Sequence, residues 1–404
     1  MVSWTHLPCV VAVIAIYGAS EWSSASPSVN VSQCDEAAVV ALHRDRALLN
    51  TNDLMKIPVR TVVHDRAVRS AGGAHDFYSE GDYWWPVAGD VKAPYERRDG
   101  ESNPDNFVAH RLSLMRLADA VAGLTSAYIV TENSELATRY ARRAEGHLQA
   151  WFVAPETRMN PDLRFAQAIK GRHTGRSIGI IDSVHLVEVA LAAKLLISRN
   201  MLTADNTAAI RRWFDEYITW LNTHPNGIKE REHPNNHGVA WSLQMVTFSM
   251  LTEDSQRIDW VRKQFKQVYL AEMMADDGSF PRELARTKPF GYSLFILDLM
   301  AGIAQLASTE EDNLWLFKTP EGRSMGAGMR FIHPYVKNKS IWPYRQDVEH
   351  WESWPKRHAA LLFGGYQLGR CDFFNTAKTL PMVTDNYEIR RNSPIRHPIL
   401  WVAD

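Results

Sequence analysis

The sequence predicts an all-α fold, an incomplete α/α toroid built from antiparallel helix pairs. Three observations predict it. Apolar residues recur at spacings of three and four through most of the chain. Runs of roughly 15–20 residues alternate with shorter helical runs and polar loops, the pattern of stacked helix pairs. Strand signals are short and weak, which argues against a parallel sheet. No internal repeat period is visible, so a regular solenoid fits less well.

The elements follow in chain order. Leu7 to Ala19 is an apolar run of signal-peptide length, and Ser23-Ser24-Ala25 offers small residues for cleavage. Residues 1–25 therefore read as a signal peptide, although only His6 and the terminal amine stand in for a basic n-region. The run is too short to span a bilayer comfortably. The expectation is a secreted or periplasmic protein with no membrane contact once the signal is removed. No linker rich in Pro, Gly or Ser divides residues 26–404, which read as a single domain. Its expected helices are Asn106–Val130, Ser134–Phe152, Ser183–Arg199, Ala204–Leu221, Val239–Leu251, Ser255–Met274, Tyr292–Ala307 and Lys356–Leu368. In the first, Leu114, Leu117, Val121, Leu124 and Tyr128 mark one stripe. Thr203 with Asp205, and Ser183 before an apolar run, read as helix starts. Phe77 to Asn106 differs: long, aromatic, charged and without helical period. A loop of that length in a compact domain is functional or disordered, and its aromatic content argues against disorder.

Composition narrows the function. The 45 basic and 46 acidic residues leave a formal net charge of −1, so no global field points to nucleic acid or a membrane surface. Attraction for a polyanion would need a local cleft. The 14 Trp and 13 Tyr suit sugar stacking and a helical core equally. Cys9 would leave with the signal, so Cys34 and Cys371 remain, either bridged as in exported proteins or as two free thiols. Oligomeric state is not legible.

Chemistry concentrates in two segments. In His233-Pro234-Asn235-Asn236-His237, an Asn before a helix is a good cap, but two Asn followed by His exceed what a cap needs. A His at a helix N-terminus tends to stay neutral and can take a proton. In Arg286 to Tyr292, Pro289 and Gly291 make a continuous helix unsuitable, so a bend could bring Arg and Tyr together. A nearby Arg and a helix N-terminus would favour phenolate over the ordinary phenol. The bland alternatives are a capped helix with a surface His, and a core Tyr with a surface Arg. Between Tyr83 and Glu101, Tyr83, Trp84, Trp85 and Tyr95 could stack on sugar rings, and Arg97 and Arg98 could grip carboxylates; equally, the Trp side chains could only pin the loop. No Gly-x-Ser-x-Gly, phosphate loop or His-Glu-x-x-His occurs, and Asp276-Asp277-Gly278 reads as a turn. No metal and no cofactor are expected.

Taken together, the sequence resembles the alginate lyase superfamily, most closely polysaccharide lyase family 38 and more distantly family 5. The resemblance rests on Tyr78-Ser79-Glu80-Gly81-Asp82-Tyr83-Trp84-Trp85-Pro86, Arg97-Arg98-Asp99-Gly100-Glu101-Ser102-Asn103-Pro104-Asp105-Asn106-Phe107, Gly175-Arg176-Ser177-Ile178-Gly179-Ile180-Ile181-Asp182, Asn235-Asn236-His237-Gly238 and Asp277-Gly278-Ser279-Phe280 through Tyr292. It implies β-elimination on a 1,4-linked polyuronate such as alginate or glucuronan, an acidic polysaccharide partner. It also implies roles: Asn236 and His237 on the substrate carboxylate, with Asn235 beside them, Arg286 supporting charge, and Tyr292 as base, acid or both. Two alternatives stand beside it. One is a glycoside hydrolase on a similar toroid with paired carboxylates. The other is a non-catalytic acidic-polysaccharide-binding protein.

Overall fold

The computed structural model describes residues 34–90, 92–382 and 386–403. The expected signal peptide, residues 1–25, lies outside them. Two helices absent from the sequence expectation come first, α1 (Glu36–Leu49) and α2 (Thr51–Lys56). Asp35 caps α1 by accepting the Ala38 amide at 2.8 Å. The body follows: α3 (Ala109–Val130), α4 (Ser134–Phe152), α5 (Leu186–Ser198), α6 (Ala204–Thr223), α7 (Pro225–Arg231), α8 (Asn236–Thr252), α9 (Ser255–Gln264), α10 (Pro281–Leu284), α11 (Pro289–Ala307), α12 (Met325–Lys337), α13 (Ala359–Gln367), α14 (Cys371–Thr379) and α15 (Tyr387–Arg391).

Neighbouring helices pack as antiparallel pairs into an incomplete α/α toroid. α3 packs on α4 and α5, α5 on α8, α8 on α6 and α11, α11 on α13, and α13 on α14. The pattern of each helix explains its place. α4 buries Tyr140, Ala141, Ala144, His147, Leu148 and Trp151, one stripe at three and four spacing. α8 and α11 are buried on nearly every side and form the middle of the body. α11, at 19 residues, is long and apolar enough by length and composition to cross a membrane; here it is the core helix. Trp151, Trp241 and Trp315 are fully buried, so part of the Trp richness is core. Cys34 and Cys371 form a disulfide that ties the segment before α1 to the start of α14.

Several boundaries moved. α8 begins at Asn236 rather than Val239, and α11 at Pro289 rather than Tyr292, because Pro fits the first helical turn. The expected Ser255–Met274 helix is α9 followed by a π-helical stretch, Phe265–Met273. Phe265 and Leu270, five apart, are both buried, a spacing that lines one face of the wider turn. Ser183 caps nothing: it ends a 3₁₀ segment, Ser177–Ser183, and its hydroxyl meets Tyr217 Oη at 2.7 Å and Gln244 Oε1 at 2.6 Å. Thr203 does cap α6, accepting from the Asn206 amide at 3.2 Å.

The aromatic loop is ordered by its own side chains. β1 (Tyr78–Glu80) pairs in parallel with β4 (Phe165–Ala168), and β2 (Trp84–Trp85) pairs antiparallel with β3 (Glu96–Arg97). Asn106 Nδ2 donates to Gly81 O at 2.8 Å, and Asn103 Nδ2 to Trp84 O at 2.9 Å. These bonds hold the β2–β3 hairpin near the N-termini of α8 and α11.

Candidate active site

The first wall of the site is the start of α8. Asn235 caps the helix, its Oδ1 accepting the His237 amide at 3.0 Å. Asn236 is buried and clamped by Glu283 of α10, which accepts its backbone amide at 2.8 Å and its Nδ2 at 2.7 Å. Burial pushes the Glu283 carboxyl up, and the Asn236 bonds pull it only part of the way back. His237 Nδ1 lies 2.6 Å from Oε1 of Glu230, a fully buried carboxylate at the end of α7. With Nδ1–H donating to Glu230, Nε2 carries the lone pair and can accept a proton. Gly238 is required here, because a Cβ would sit 2.3 Å from the His233 carbonyl oxygen.

The second wall is the bend into α11. Pro289 opens that helix, and the Asp347 carboxylate accepts the Phe290 and Gly291 amides at 2.9 Å each. Tyr292 sits one turn in, 7% exposed. Arg286 lies in the preceding bend with its guanidinium 4.6 Å from the Tyr292 ring centroid and Nη2 3.4 Å from Tyr292 Oη. Asp99 of the aromatic loop steadies Arg286 at 3.3 Å and accepts from Thr287 Oγ1 at 2.9 Å. Tyr292 Oη also meets Tyr83 Oη at 2.8 Å. The expected approach of Arg and Tyr is therefore present, but the expected phenolate is not. Burial pushes the Tyr292 hydroxyl well above its ordinary value, Tyr83 and Glu388 add to this, and Arg286 only partly offsets them. Burial raises Tyr83 as well. In the free protein both are phenols.

The third wall is the hairpin with the segment after β4. The cleft, about 340 Å³, is lined by Tyr83, Trp84, Arg97, Asn235, Asn236, His237, Arg286 and Tyr292 of the sequence candidates. Trp85, Tyr95 and Arg98 do not line it. Trp85 Nε1 donates to Glu101 O at 3.0 Å, and Arg98 pairs with Glu96 at 2.8 Å while its guanidinium lies 5.2 Å from the Trp85 centroid. Tyr95 faces Lys170, whose Nζ is 5.5 Å from its ring centroid. Half of the aromatic set thus pins the loop and half faces the cleft.

Other cleft residues were not singled out from sequence. Arg176 donates to Gln167 O at 2.8 Å and to Gln167 Oε1 at 3.1 Å. Among the described residues no carboxylate lies within salt-bridge distance of it, and burial lowers its guanidinium to about 10. It is a cation held ready for an anion by a neutral amide. Below it, fully buried Arg111 joins Asp82 at 2.8 Å and Asp182 at 2.9 Å, and Arg391 of α15 reaches Asp82 at 2.9 Å. These charges cancel among themselves, which leaves Arg97, Arg176 and Arg286 as the cations facing the space, Arg97 and Arg286 sharing Asp99. Arg176 lay inside a quoted motif, but only proximity in space marks it as a site residue. Among the described residues no group of three or more His, Cys, Asp or Glu is placed to hold a metal ion.

The arrangement offers three cations, an amide, an imidazole with a free nitrogen, and a buried and a half-buried phenol around one cleft. A family model for alginate lyase matches residues 61–342. The solved structure of an alginate lyase from Bacteroides ovatus shares the fold with a TM-score of 0.77 and 26% identity, over 91% of this chain and 97% of that one. Alginate lyase A1-III from Sphingomonas species A1 aligns with a TM-score of 0.53 and 15% identity, over 91% of this chain and 96% of that one. A variant of alginate lyase A1-III complexed with tetrasaccharide aligns with a TM-score of 0.56 and 15% identity, over 95% and 98%. The A1-III likenesses speak for the shared fold. A search of curated proteins returns no match. The matched stretch runs from before the aromatic loop to beyond Tyr292, and the chain belongs to the alginate lyase family.

Proposed function

We propose that the protein cleaves a 1,4-linked polyuronate of the alginate type by β-elimination, leaving a 4,5-unsaturated uronate end. The observation that carries this reading is the placement of Arg286, Tyr292 and Tyr83 on one side of a cleft whose other side holds Asn236 and His237. Removing the C5 proton puts negative charge on the adjacent carboxylate, so donors must be fixed there beforehand. Asn236, immobilised by Glu283, retains one Nδ2 hydrogen for that purpose; Arg176 and Arg286 supply charge. Tyr292, a phenol in the resting site, is set to protonate the leaving C4 oxygen.

The base depends on the sugar. In mannuronate the C5 proton and C4 oxygen lie on one side of the ring, and glucuronate shares that arrangement. Tyr292 would then take the proton as phenolate and return it as phenol. In guluronate they lie on opposite sides, and His237, with Nε2 free, would take the proton while Tyr292 delivers its own. Exported location and the presence of a signal at residues 1–25 accord with a polymeric substrate outside the cytoplasm and belong to this proposal.

The test is ultraviolet absorbance of the conjugated product on polymannuronate, polyguluronate and glucuronan. Tyr292→Phe should lower the rate on every cleaved polymer by roughly 10²–10⁴-fold. His237→Ala should abolish guluronate cleavage and spare most mannuronate cleavage. Reducing ends appearing without absorbance, or full activity in Tyr292→Phe, would reject the lyase reading in favour of a carboxylate hydrolase.

A further inference from the structure

We propose that Asn392 selects the substrate: it reads a free ring hydroxyl on the uronate bound at the Tyr292 end of the cleft, and so discriminates against O-acetylated polymer. The inference rests on the polyuronate reading above and extends it to a residue beyond the family-matched stretch.

Asn392 lines the cleft yet is only 9% exposed. It follows α15, and its backbone amide and Nδ2 both donate to the Glu388 carbonyl oxygen, at 3.1 and 2.9 Å. The second bond orients the side-chain amide, with nitrogen toward that carbonyl and oxygen away from it. Among the described residues no donor reaches Oδ1, and it is not one of the side-chain atoms sealed from solvent without a partner. It is an open acceptor on an immobilised side chain.

Place and charge say what it accepts from. The Glu388 carboxylate meets Lys288 Nζ at 3.0 Å, and that ammonium lies 5.2 Å from the Tyr83 ring centroid. The Lys288 carbonyl in turn accepts the Tyr292 amide at 3.1 Å. Through Glu388, Asn392 is thus tied to the end of the cleft that holds the two phenols. Its neighbour Arg391 is spent on Asp82 at 2.9 Å and on Glu388 at 3.2 Å. An amide oxygen whose adjoining cation is already shared between two carboxylates favours O–H over a further carboxylate. Uronate rings offer such hydroxyls at C2 and C3. Acetylation replaces the hydroxyl hydrogen with an acyl group, which removes the donor and adds bulk. A site built to bond a hydroxyl rejects the analogue that lacks it, because its own polar group is left unpaired.

Absorbance kinetics on the best-cleaved polyuronate, and on the same polymer after O-acetylation, test this. The unmutated chain should show a kcat/KM on the free polymer roughly tenfold or more above that on the acetylated one. Asn392→Ser keeps a hydroxyl for the Glu388 carbonyl, as Ser393 does for that of Ile389 at 2.7 Å, but withdraws the acceptor from the cleft. It should lose roughly tenfold or more on the free polymer, stay within a fewfold on the acetylated one, and keep the melting temperature of the unmutated chain. An unchanged preference in Asn392→Ser, or equal losses on both polymers, would overturn the assignment and leave Asn392 only to end α15. If no polyuronate is cleaved the lyase reading falls, and calorimetric titration with alginate tetrasaccharide, free and O-acetylated, decides for Asn392. Tighter binding of the free form that is lost in Asn392→Ser would support its role; equal or absent binding would overturn it.

Discussion

Tyr292 shows how far residue types alone can go. Its pairing with Arg286 was readable from the Pro and Gly between them, since those residues bend the chain. Its protonation was not readable, because burial depends on what covers the ring, and here desolvation outweighs the guanidinium. That sign has a kinetic consequence. A hydroxyl raised above its ordinary value is almost wholly protonated near neutrality, so each pH unit adds about tenfold to the phenolate. The rate constant kcat/KM for mannuronate, where Tyr292 must first act as base, should climb about tenfold per unit from pH 7 to 9. A flat profile there would show that another group takes the proton. Glu230 was invisible for a different reason. It lies seven residues before His237, across the break between α7 and α8, and only the fold brings the two within 2.6 Å. Its carboxylate fixes the imidazole and stabilises the imidazolium that proton transfer creates. Glu230→Gln should therefore slow guluronate cleavage by roughly 10²-fold and leave mannuronate cleavage within a fewfold. Equal losses on both polymers would mean that Glu230 holds the wall rather than the base.

At the scale of elements, most long helices were legible, α1 and α12 excepted, and the shortest were not. A stripe such as that of α4 needs several turns to show, whereas α2, α7, α10 and α15 are too short to display one. Three of those short helices carry site residues: Glu230, Glu283 and Arg391. The shift of the α8 start from Val239 to Asn236 also matters, since it places Asn236, His237 and Gly238 in the first turn, with Asn235 outside as cap. Gly238 allows that turn to close against the His233 carbonyl. Gly238→Ala should cost about 1–3 kcal/mol of stability through overpacking. It should also lower activity more than that loss explains, because the backbone that must yield carries His237. Gly146 in α4 is the control: a Cβ there meets nothing within 4 Å. Gly146→Ala should instead stabilise by roughly 0.5–1 kcal/mol, as usual for a glycine removed from a helix interior. Urea unfolding midpoints with activity measured on the same samples check both. Gly238→Ala with wild-type activity would show that the turn tolerates a shift.

For the molecule as a whole, the fold class followed from periodicity, but the return of the chain's end to the cleft did not. Arg391 and Asn392 line the cleft from beyond residue 342, where the family match stops, and no local pattern announces a contact across nearly the whole sequence. The same long-range burial sets the response to acid. Burial lowers His43 and His147 to about 4, and lowers His185 and His397 well below the ordinary value. A histidine with a depressed pKa in the fold is protonated more readily when unfolded, so its contribution is present above about 6.5 and is lost as pH falls. Four buried carboxyls act oppositely, Glu230 and Glu283, both raised by burial, and two more. Glu188, raised to about 7, and Asp347, raised to about 6, hold protons that the unfolded chain releases, so they favour the fold as pH falls toward their ordinary values. With His110, His224, His233 and His333 also lowered, eight histidines stand against four carboxyls, so the unfolded chain binds more protons near pH 5.5 and stability falls by about 1.4 kcal/mol per pH unit for each proton of difference. Asp82, Glu80 and Glu388, all held below their ordinary values despite burial, add to the loss at still lower pH. The melting temperature should therefore drop steeply between pH 6.5 and 4.5 and change little between pH 7.5 and 8.5. A protein equally stable at pH 4.5 and 7.5 would mean that the buried carboxyls, not the histidines, dominate its acid response.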